Sequence, residues 1–282
     1  MPDGLGLAAL LASFALYLGV LGASGTVLAT RVFRLQNTRN IALWFAALGG
    51  LAALLGFSIK GAELTGSVSG LYDTEMLGLL WGTPVGTALR LCLFGLSTLI
   101  IGHFLGHVGA WISLVGSLIA ISSFTQIGHI AGLENLLLQL ALLVHLFAVA
   151  FWIGILIPLK RAASNPKNYE DAATLGHRFG KVATFTVPLL IVLGVMMGYQ
   201  LIGSWSGVFT TSYGQVLLIK IAFVALLLGL AALNKRRYVP QLKAGDPSSA
   251  QGLVRSISLE WLVIVSVLAL TAFLTTNVTL PA

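Results

Sequence analysis

The chain has 282 residues, of which 57% are hydrophobic and only 9% are charged, and its mean hydropathy is +0.95. A soluble globular domain carries roughly 25% charged residues because water must solvate its surface, so this composition excludes a soluble protein. The net charge of +7 does not indicate a nucleic-acid partner, since thirteen of the 16 Lys and Arg residues lie in three separate connecting segments rather than on one basic face.

Eight apolar stretches follow one another along the chain, each long enough to cross a hydrocarbon core about 30 Å thick, which takes roughly 20 helical residues. The third and fourth stretches run together, so we expect the chain to turn near Gly102 to Gly106. The N-terminus lacks the basic segment of a secretory signal, so the first stretch is predicted to be a retained helix. The pattern predicts an all-α bundle of eight transmembrane helices in a single membrane domain, residues 1–282. The predicted spans are 5–30, 41–59, 84–104, 107–125, 136–158, 182–202, 215–233 and 258–277.

Three connections carry most of the basic residues, and the positive-inside rule places such connections in the cytoplasm. They join the first span to the second, the fifth to the sixth and the seventh to the eighth, which alternate crossing requires to lie on one side. Both termini are then predicted to be periplasmic, as are the connections 60–83, 126–135 and 203–214. The apolar residues between Gly61 and Thr83 predict an amphipathic segment at the interface. The basic residues are Arg31, Arg34, Arg39, Lys160, Arg161, Lys167, Arg178, Lys181, Lys235, Arg236, Arg237, Lys243 and Arg255.

Ionisable side chains inside a membrane span are costly, so each one marks a candidate functional site. His145 lies nine residues into the fifth span, about 14 Å from its outer end and near the bilayer midplane. At that depth an imidazole must bond to a neighbouring helix, bind a metal or ligate a haem. His129 lies in an outer connection between Gly128 and Gly132, and it can share an ion with His145 only if this segment folds back into the bundle.

Sulfur-containing side chains lie at comparable depths. Met196 and Met197 are near the outer end of the sixth span, and thioether with imidazole suits Cu(I). They can equally be fillers of gaps between helices. Cys92, the single cysteine, is either a relay ligand or a small buried hydrophobe, and as the only one it excludes an intrachain disulfide.

Two further histidines, His103 and His107, fall at the turn between the third and fourth spans. If that turn is helical, they share one face at i, i+4 and form an exit site or haem ligands; otherwise they are ordinary interfacial residues. Arg90 and Lys220 lie just inside the outer boundary. They can extend to the headgroups, or they can supply fixed positive charge and pair with acidic residues of the outer connections.

The sequence contains no nucleophile triad, phosphate-binding loop, Cys-x-x-Cys or paired carboxylates within the membrane. A hydrolase, a P-type pump and an ATP-driven transporter are therefore disfavoured, since each needs a domain or motif of that kind. We expect the chain not to be an enzyme.

Three segments of the chain carry a family resemblance. The first combines Gly128 and His129 with residues 145–156. The second, residues 178–183, leads into the sixth span, and the third joins residues 211–220 to 234–242. Together they are similar to the bacterial copper resistance protein D family, polytopic proteins of the inner membrane linked to copper uptake and copper tolerance. The resemblance implies a multi-pass inner-membrane protein that moves copper, with His129 and His145 as the histidines typical of the family.

On this basis we predict movement of copper, as Cu(I), from the periplasm towards the cytoplasm without ATP. The ion is expected to enter at His129 with Met196 and Met197, to pass to His145 with Cys92 as an additional relay ligand, and to leave near His103 and His107. Neither end shows a copper-binding domain, so a separate periplasmic copper chaperone is expected to deliver the metal. The alternatives are a haem-binding membrane oxidoreductase or electron carrier with His axial ligands, and a copper sensor or assembly subunit that does not transport.

Overall fold

The computed structural model describes residues 4–133 and 135–280, and this part of the chain is all-α. Eight helical segments in it are long and apolar enough to cross a membrane, which confirms the predicted number of spans. The predicted turn between the third and fourth spans is confirmed at residues 103–105, where Gly106 adopts a φ of +60° and begins the next helix. The segments are Gly4–Phe33, Arg39–Thr65, Pro84–Gly102, Gly106–Thr125, Leu136–Ala163, Pro166–Ile202, Ser212–Lys243 and Ser248–Thr276.

Eleven α-helices build these segments and the connections in the described residues. A π-helical turn, Asn234–Tyr238, joins the seventh span to the short helix after it. The helices are α1 (Gly4–Phe33), α2 (Arg39–Thr65), α3 (Thr74–Trp81), α4 (Pro84–Gly102), α5 (Gly106–Ser122), α6 (Leu136–Ala163), α7 (Tyr169–Ile202), α8 (Gly207–Thr210), α9 (Ser212–Leu233), α10 (Val239–Lys243) and α11 (Ser248–Thr276).

Several helices continue beyond the predicted spans at the end of the bundle where the connections 34–38, 103–105, 164–168 and 244–247 lie. We call this the basic end. There α6 continues to Ala163 and α7 begins at Tyr169. Only a 3₁₀ turn, capped by the side chain of Asn165, separates the two helices. Hydropathy detects only the apolar part of a helix, which lipid covers. The same helix continues outside the membrane, where water solvates its charged residues. The connections 66–83, 126–135 and 203–211 lie at the opposite end.

The segment between α2 and α4, predicted to be an amphipathic segment at the interface, contains the short helix α3. Asp73 caps α3 by accepting hydrogen bonds from the backbone N–H groups of Glu75 and Met76, and Leu80 is its buried residue. Arg90 does not pair with a described acidic side chain. Instead it donates to the carbonyl of Trp81, with an N···O distance of 2.6 Å, and its guanidinium lies over the Trp81 ring.

Helix α1 is central and packs against α2, α5, α6 and α11. Its backbone is in direct contact with two neighbours: a Cβ on Gly25 would overlap the carbonyl of Ala150 in α6, and a Cβ on Gly19 would overlap the backbone of Gly49 in α2. Small residues allow such close approach of membrane helices.

Helices α7 and α9 lie at the periphery. In the 18-residue apolar stretch of each helix, only 11% of the residues of α7 and 6% of those of α9 are buried, compared with 22 to 50% in the other spans. Pro188 lies inside α7, where it removes one backbone hydrogen bond of the helix. The two helices therefore form a loosely packed edge of the bundle beside α6 and α11.

Candidate functional site

The candidate site follows the contact between α6 and α7, which we call the α6–α7 seam. On α6 it is lined by Ala141, His145 and Trp152, which are four and seven residues apart and so share a helical face. On α7 it is lined by Gly194 and Met197, three residues apart on one face. The α6–α7 seam therefore connects the opposite end of the bundle with the middle of the membrane and with the basic half.

At the opposite end, Met197 is buried in a small apolar cluster with Ile130, Leu138 and Ala141. Its neighbour Met196 is 37% exposed, whereas Met197 is 7% exposed. Consecutive helical residues point about 100° apart, so the two thioethers cannot both face the interior. Of the two predicted methionine ligands, the structure brings Met197 into the α6–α7 seam and turns Met196 away from it.

His129 precedes Ile130 in the chain, but its side chain contacts Tyr213 and Leu274, which belong to a second apolar cluster. The Gly128 backbone is in the left-handed region, with φ of +82°, and the segment folds back against α11. The Nε2 atom of His129 lies 2.9 Å from the carbonyl oxygen of Leu274, and the ring packs edge-on against Tyr213 at 5.5 Å between centroids. A carbonyl only accepts hydrogen bonds, so Nε2 carries the hydrogen, and in the neutral form of the ring Nδ1 has a free lone pair.

His145 lies in the middle of α6 and faces Leu190 and Gly194 of α7. A Cβ on Gly194 would lie 3.7 Å from Cε1 of the imidazole, so this glycine makes room for the ring rather than for a second helix backbone. Nδ1 is buried and has no hydrogen-bond partner among the described residues. Buried polar atoms without partners are rare in native proteins, and an unpartnered imidazole nitrogen is a potential metal ligand.

Lys220 of α9 is close enough to His145 for their charges to interact. The described part of the chain provides its ammonium with neither an ion pair nor a hydrogen bond. Lys220 therefore lies where a positive charge on its side chain would act at the middle of the α6–α7 seam.

The other three predicted ligands lie away from the α6–α7 seam. Cys92 is 2% exposed in the apolar core, beside Ser123. His103 ends α4, where its Nδ1 lies 2.9 Å from the carbonyl oxygen of Leu99 and 3.3 Å from Oγ of Ser113. His107 is exposed on α5. Because the chain turns between the two histidines, they do not share a face at i, i+4 as a helical turn would have required.

One buried acidic residue is not among the site residues predicted from the sequence. Glu260 of α11 is 2% exposed. Its Oε2 accepts a hydrogen bond from Nε1 of Trp152, 3.2 Å away, and its Oε1 accepts one from Nδ2 of Asn234 in the π-helical turn. The sequence does contain two indications of this site. Glu260 is an acidic residue within the predicted span 258–277, and Trp152 lies in the first segment that carries the family resemblance.

Glu260 lines a cavity of about 290 Å³ between α6, α7, α9 and the π-helical turn. Trp152, Phe179, Thr184, Asn234 and Lys235 are among the other residues around it. Lys235 is exposed, and its Nζ donates to Oγ1 of Thr184, 2.7 Å away, rather than to Glu260. The cavity thus continues the α6–α7 seam towards the basic end, with a buried carboxyl inside and an exposed ammonium at its mouth.

No group of three or more His, Cys, Asp or Glu side chains that could hold a metal ion occurs in the part of the chain that the structure describes. The described contacts of His103, His129 and His145 are with backbone, Ser113, Tyr213 and Gly194, not with a second histidine as a bis-histidine haem site requires. A metal in the α6–α7 seam would therefore have few protein ligands at any one point.

The fold and the α6–α7 seam define a multi-pass α-helical membrane protein with ionisable groups at a helix interface, an arrangement typical of ion and proton pathways. Comparison with known proteins specifies it further. Residues 172–274 match the family model of copper resistance protein D. This match covers somewhat more than a third of the chain, so the chain is similar to the family over that part, and its eight candidate spans are those of a multi-pass membrane protein.

Two curated relatives extend the match. The chain is 26% identical over 258 residues to copper transport protein CutJ of Bacillus subtilis strain 168, covering 85% of this chain and 46% of that protein. It is 29% identical over 134 residues to inner membrane protein YebZ of Escherichia coli strain K12, covering 45% of this chain and 46% of that protein. The chain thus matches less than half the length of these relatives. No solved structure matches it.

Proposed function

We propose that this protein moves copper, as Cu(I), through the inner membrane along the α6–α7 seam, from the periplasm to the cytoplasm and without ATP. The family match and a relative named as a copper transport protein support copper as the ion. The observation that carries the proposal is the buried Nδ1 of His145, which has no described partner and lies between a thioether on one side and a polar cavity on the other.

The entrance is at the opposite end of the bundle, which we place in the periplasm because the basic end carries the positive connections. There the lone pair of His129 Nδ1 and the thioether of Met197 provide the soft donors that Cu(I) prefers. Met197 is buried against Ile130, and Ile130 follows His129 in the chain. Ile130 therefore links the segment that carries the imidazole to the helix that carries the thioether. A separate periplasmic copper-binding chaperone delivers the ion to this point.

The path then follows α6. Ala141, which packs with Met197, is four residues or about 6 Å along the axis from His145, and Trp152 is about 10 Å further on. Few ligands at each point keep binding weak enough for release. Lys220 supports this as well, because its positive charge opposes long residence of a cation at His145. Met196, Cys92, His103 and His107 have no place on this path.

The test is uptake of Cu(I) into proteoliposomes that contain an internal Cu(I) chelator and no ATP. The variants are His145→Ala and, as matched control, His107→Ala, whose side chain is exposed and away from the α6–α7 seam. We expect uptake by the wild type and by the control, and a loss of at least about tenfold in His145→Ala. Equal uptake by His145→Ala and wild type would overturn the path, and a Soret band in the purified protein would favour the haem alternative.

A further inference from the structure

The cavity at the basic end contains a carboxyl group, that of Glu260, to which the proposed copper path assigns no ligand role. Glu260 is 2% exposed, and no described Lys, Arg or His forms an ion pair with it. An isolated buried carboxylate is costly in a membrane, so such a group must bind a cation or take up a proton. The chemistry of the cavity distinguishes these two possibilities.

The surroundings disfavour a metal ion. The donors near Glu260 are the indole N–H of Trp152 and the amide N–H of Asn234, which stabilise a carboxylate without any metal. Lys235 places a positive charge at the mouth, where it repels a cation that enters from the basic end. Thiolate, thioether and imidazole are missing from the residues that line the cavity, so the soft donors for Cu(I) are absent there.

The surroundings suit a proton. Oδ1 of Asn234 is buried and has no hydrogen-bond partner among the described residues, although Nδ2 of the same amide already donates to Glu260. A protonated carboxyl group or a water molecule that carries the proton away can donate to this free oxygen. Asn234 also begins the π-helical turn, a distortion frequently found at functional sites.

We propose that Glu260 is a proton-binding site that exchanges protons with water at the basic end through this cavity. The proton leaves the carboxyl oxygen for a water molecule in the cavity, and the remaining carboxylate is held by Trp152 and Asn234. Lys235 is the other titratable side chain lining the cavity, and Arg178, next to Phe179 on α7, points instead towards Val32 and Phe33 of α1.

The role of this site in transport rests on the proposed function. Trp152 lies about 10 Å along α6 from His145, so a carboxylate at Glu260 attracts a copper ion at His145 and offsets the charge of Lys220. Glu260 therefore releases its proton as Cu(I) enters the α6–α7 seam and regains it when the ion has left. One proton per bound copper ion is exchanged at this site.

The first experiment tests the proton site without copper. Infrared difference spectra of the purified full chain are recorded across a series of pH steps for wild type, Glu260→Gln and Glu170→Gln, whose carboxylate is exposed on α7. We expect a protonated-carboxyl band from an apolar environment that disappears with rising pH, persists in Glu170→Gln and is absent from Glu260→Gln. Trp152→Phe should shift the frequency of that band, because the carboxyl loses one hydrogen bond.

Identical spectra of wild type and Glu260→Gln would overturn the proposal, as would a carboxylate band that responds to added Na⁺ or Cu(I) at constant pH but not to pH. Unfolding curves of each variant by circular dichroism show whether a lost band reflects a lost fold. A second experiment follows proton release with a pH dye when Cu(I) is added to weakly buffered protein. Release by the wild type and not by Glu260→Gln supports coupling, whereas failure of copper uptake alone leaves the infrared result standing.

Discussion

His145 and Trp152 lie seven residues apart on α6 and so on the same face of that helix, one ring facing Gly194 and the other hydrogen-bonded to Glu260. A single helical face thus connects a buried imidazole, whose Nδ1 has no hydrogen-bond partner among the described residues, with a buried carboxyl. The candidate functional residues therefore come from neighbouring helices that meet at one interface, and not from one sequence motif.

The space around the His145 ring depends on Gly194. An added Cβ would meet Cε1 at 3.7 Å, an ordinary contact, so Gly194→Ala should transport copper nearly as well as wild type. Gly194→Leu fills the space of the ring, and we expect about a tenfold loss of Cu(I) uptake. Gly229→Leu on α9 is the control, because nothing lies within 4 Å of its Cβ position. Equal uptake by the Gly194→Leu and Gly229→Leu proteins would contradict the prediction.

The two methionines should behave differently. Met197→Leu keeps the volume of the buried side chain but removes the thioether, so the affinity for Cu(I) should fall by about tenfold, equivalent to about 1.4 kcal/mol. Met196→Leu should bind as wild type does, because that side chain faces away from the α6–α7 seam. Competition with a chromogenic Cu(I) chelator measures both. A larger effect at Met196 than at Met197 would place the entrance on another face of α7.

Lys220 is expected to weaken copper binding at His145. Lys220→Gln removes a positive charge within electrostatic range, so Cu(I) should bind more tightly, by about threefold to tenfold. Slower release should then reduce the steady rate of uptake. Lys60→Gln is the matched control, because that ammonium is exposed and already paired with Glu63 at 2.9 Å. Weaker copper binding in Lys220→Gln would show that the lysine supports the ion instead of repelling it.

The backbone contact between α1 and α6 should make Gly25 sensitive to substitution. Gly25→Ala would drive a methyl group into the carbonyl of Ala150, and we expect a loss of about 1 to 3 kcal/mol in stability. Thermal unfolding in detergent measures the change. Gly78→Ala on α3 has open space around the added atom and should unfold at or above the wild-type temperature. An unchanged midpoint for Gly25→Ala would mean that the two helices separate easily.

The spans and their number were predictable, because lipid imposes a minimum apolar length that hydropathy detects directly. The direction of each side chain was not. The part of α7 within the predicted span 182–202 has no charged residue and is apolar on most faces, so the sequence does not show that Met197 is buried and Met196 exposed. His129 could be placed in the bundle only by the fold of the loop, which depends on Gly128 and on the distant carbonyl of Leu274.

Glu260 shows a different limit. It lies near the beginning of a predicted span, where acidic residues are common at the water interface. Burial and its bonds to Trp152 and Asn234 appear only when α6, α11 and the π-helical turn come together. Conversely, the spacing of His103 and His107 would place them on one face of a helical turn, but the chain turns between them.

The contact of Gly25 with Ala150 and the proline inside α7 give the α6–α7 seam two unequal walls. The α6 wall is joined backbone to backbone to the central helix, and it cannot shift without breaking that fit. The α7 wall is mostly in contact with lipid, and its helix already lacks a hydrogen bond at Pro188, within two turns of Gly194. On the proposed copper path, the gap would therefore widen by bending of α7 alone, while His145 and Trp152 keep their positions on α6.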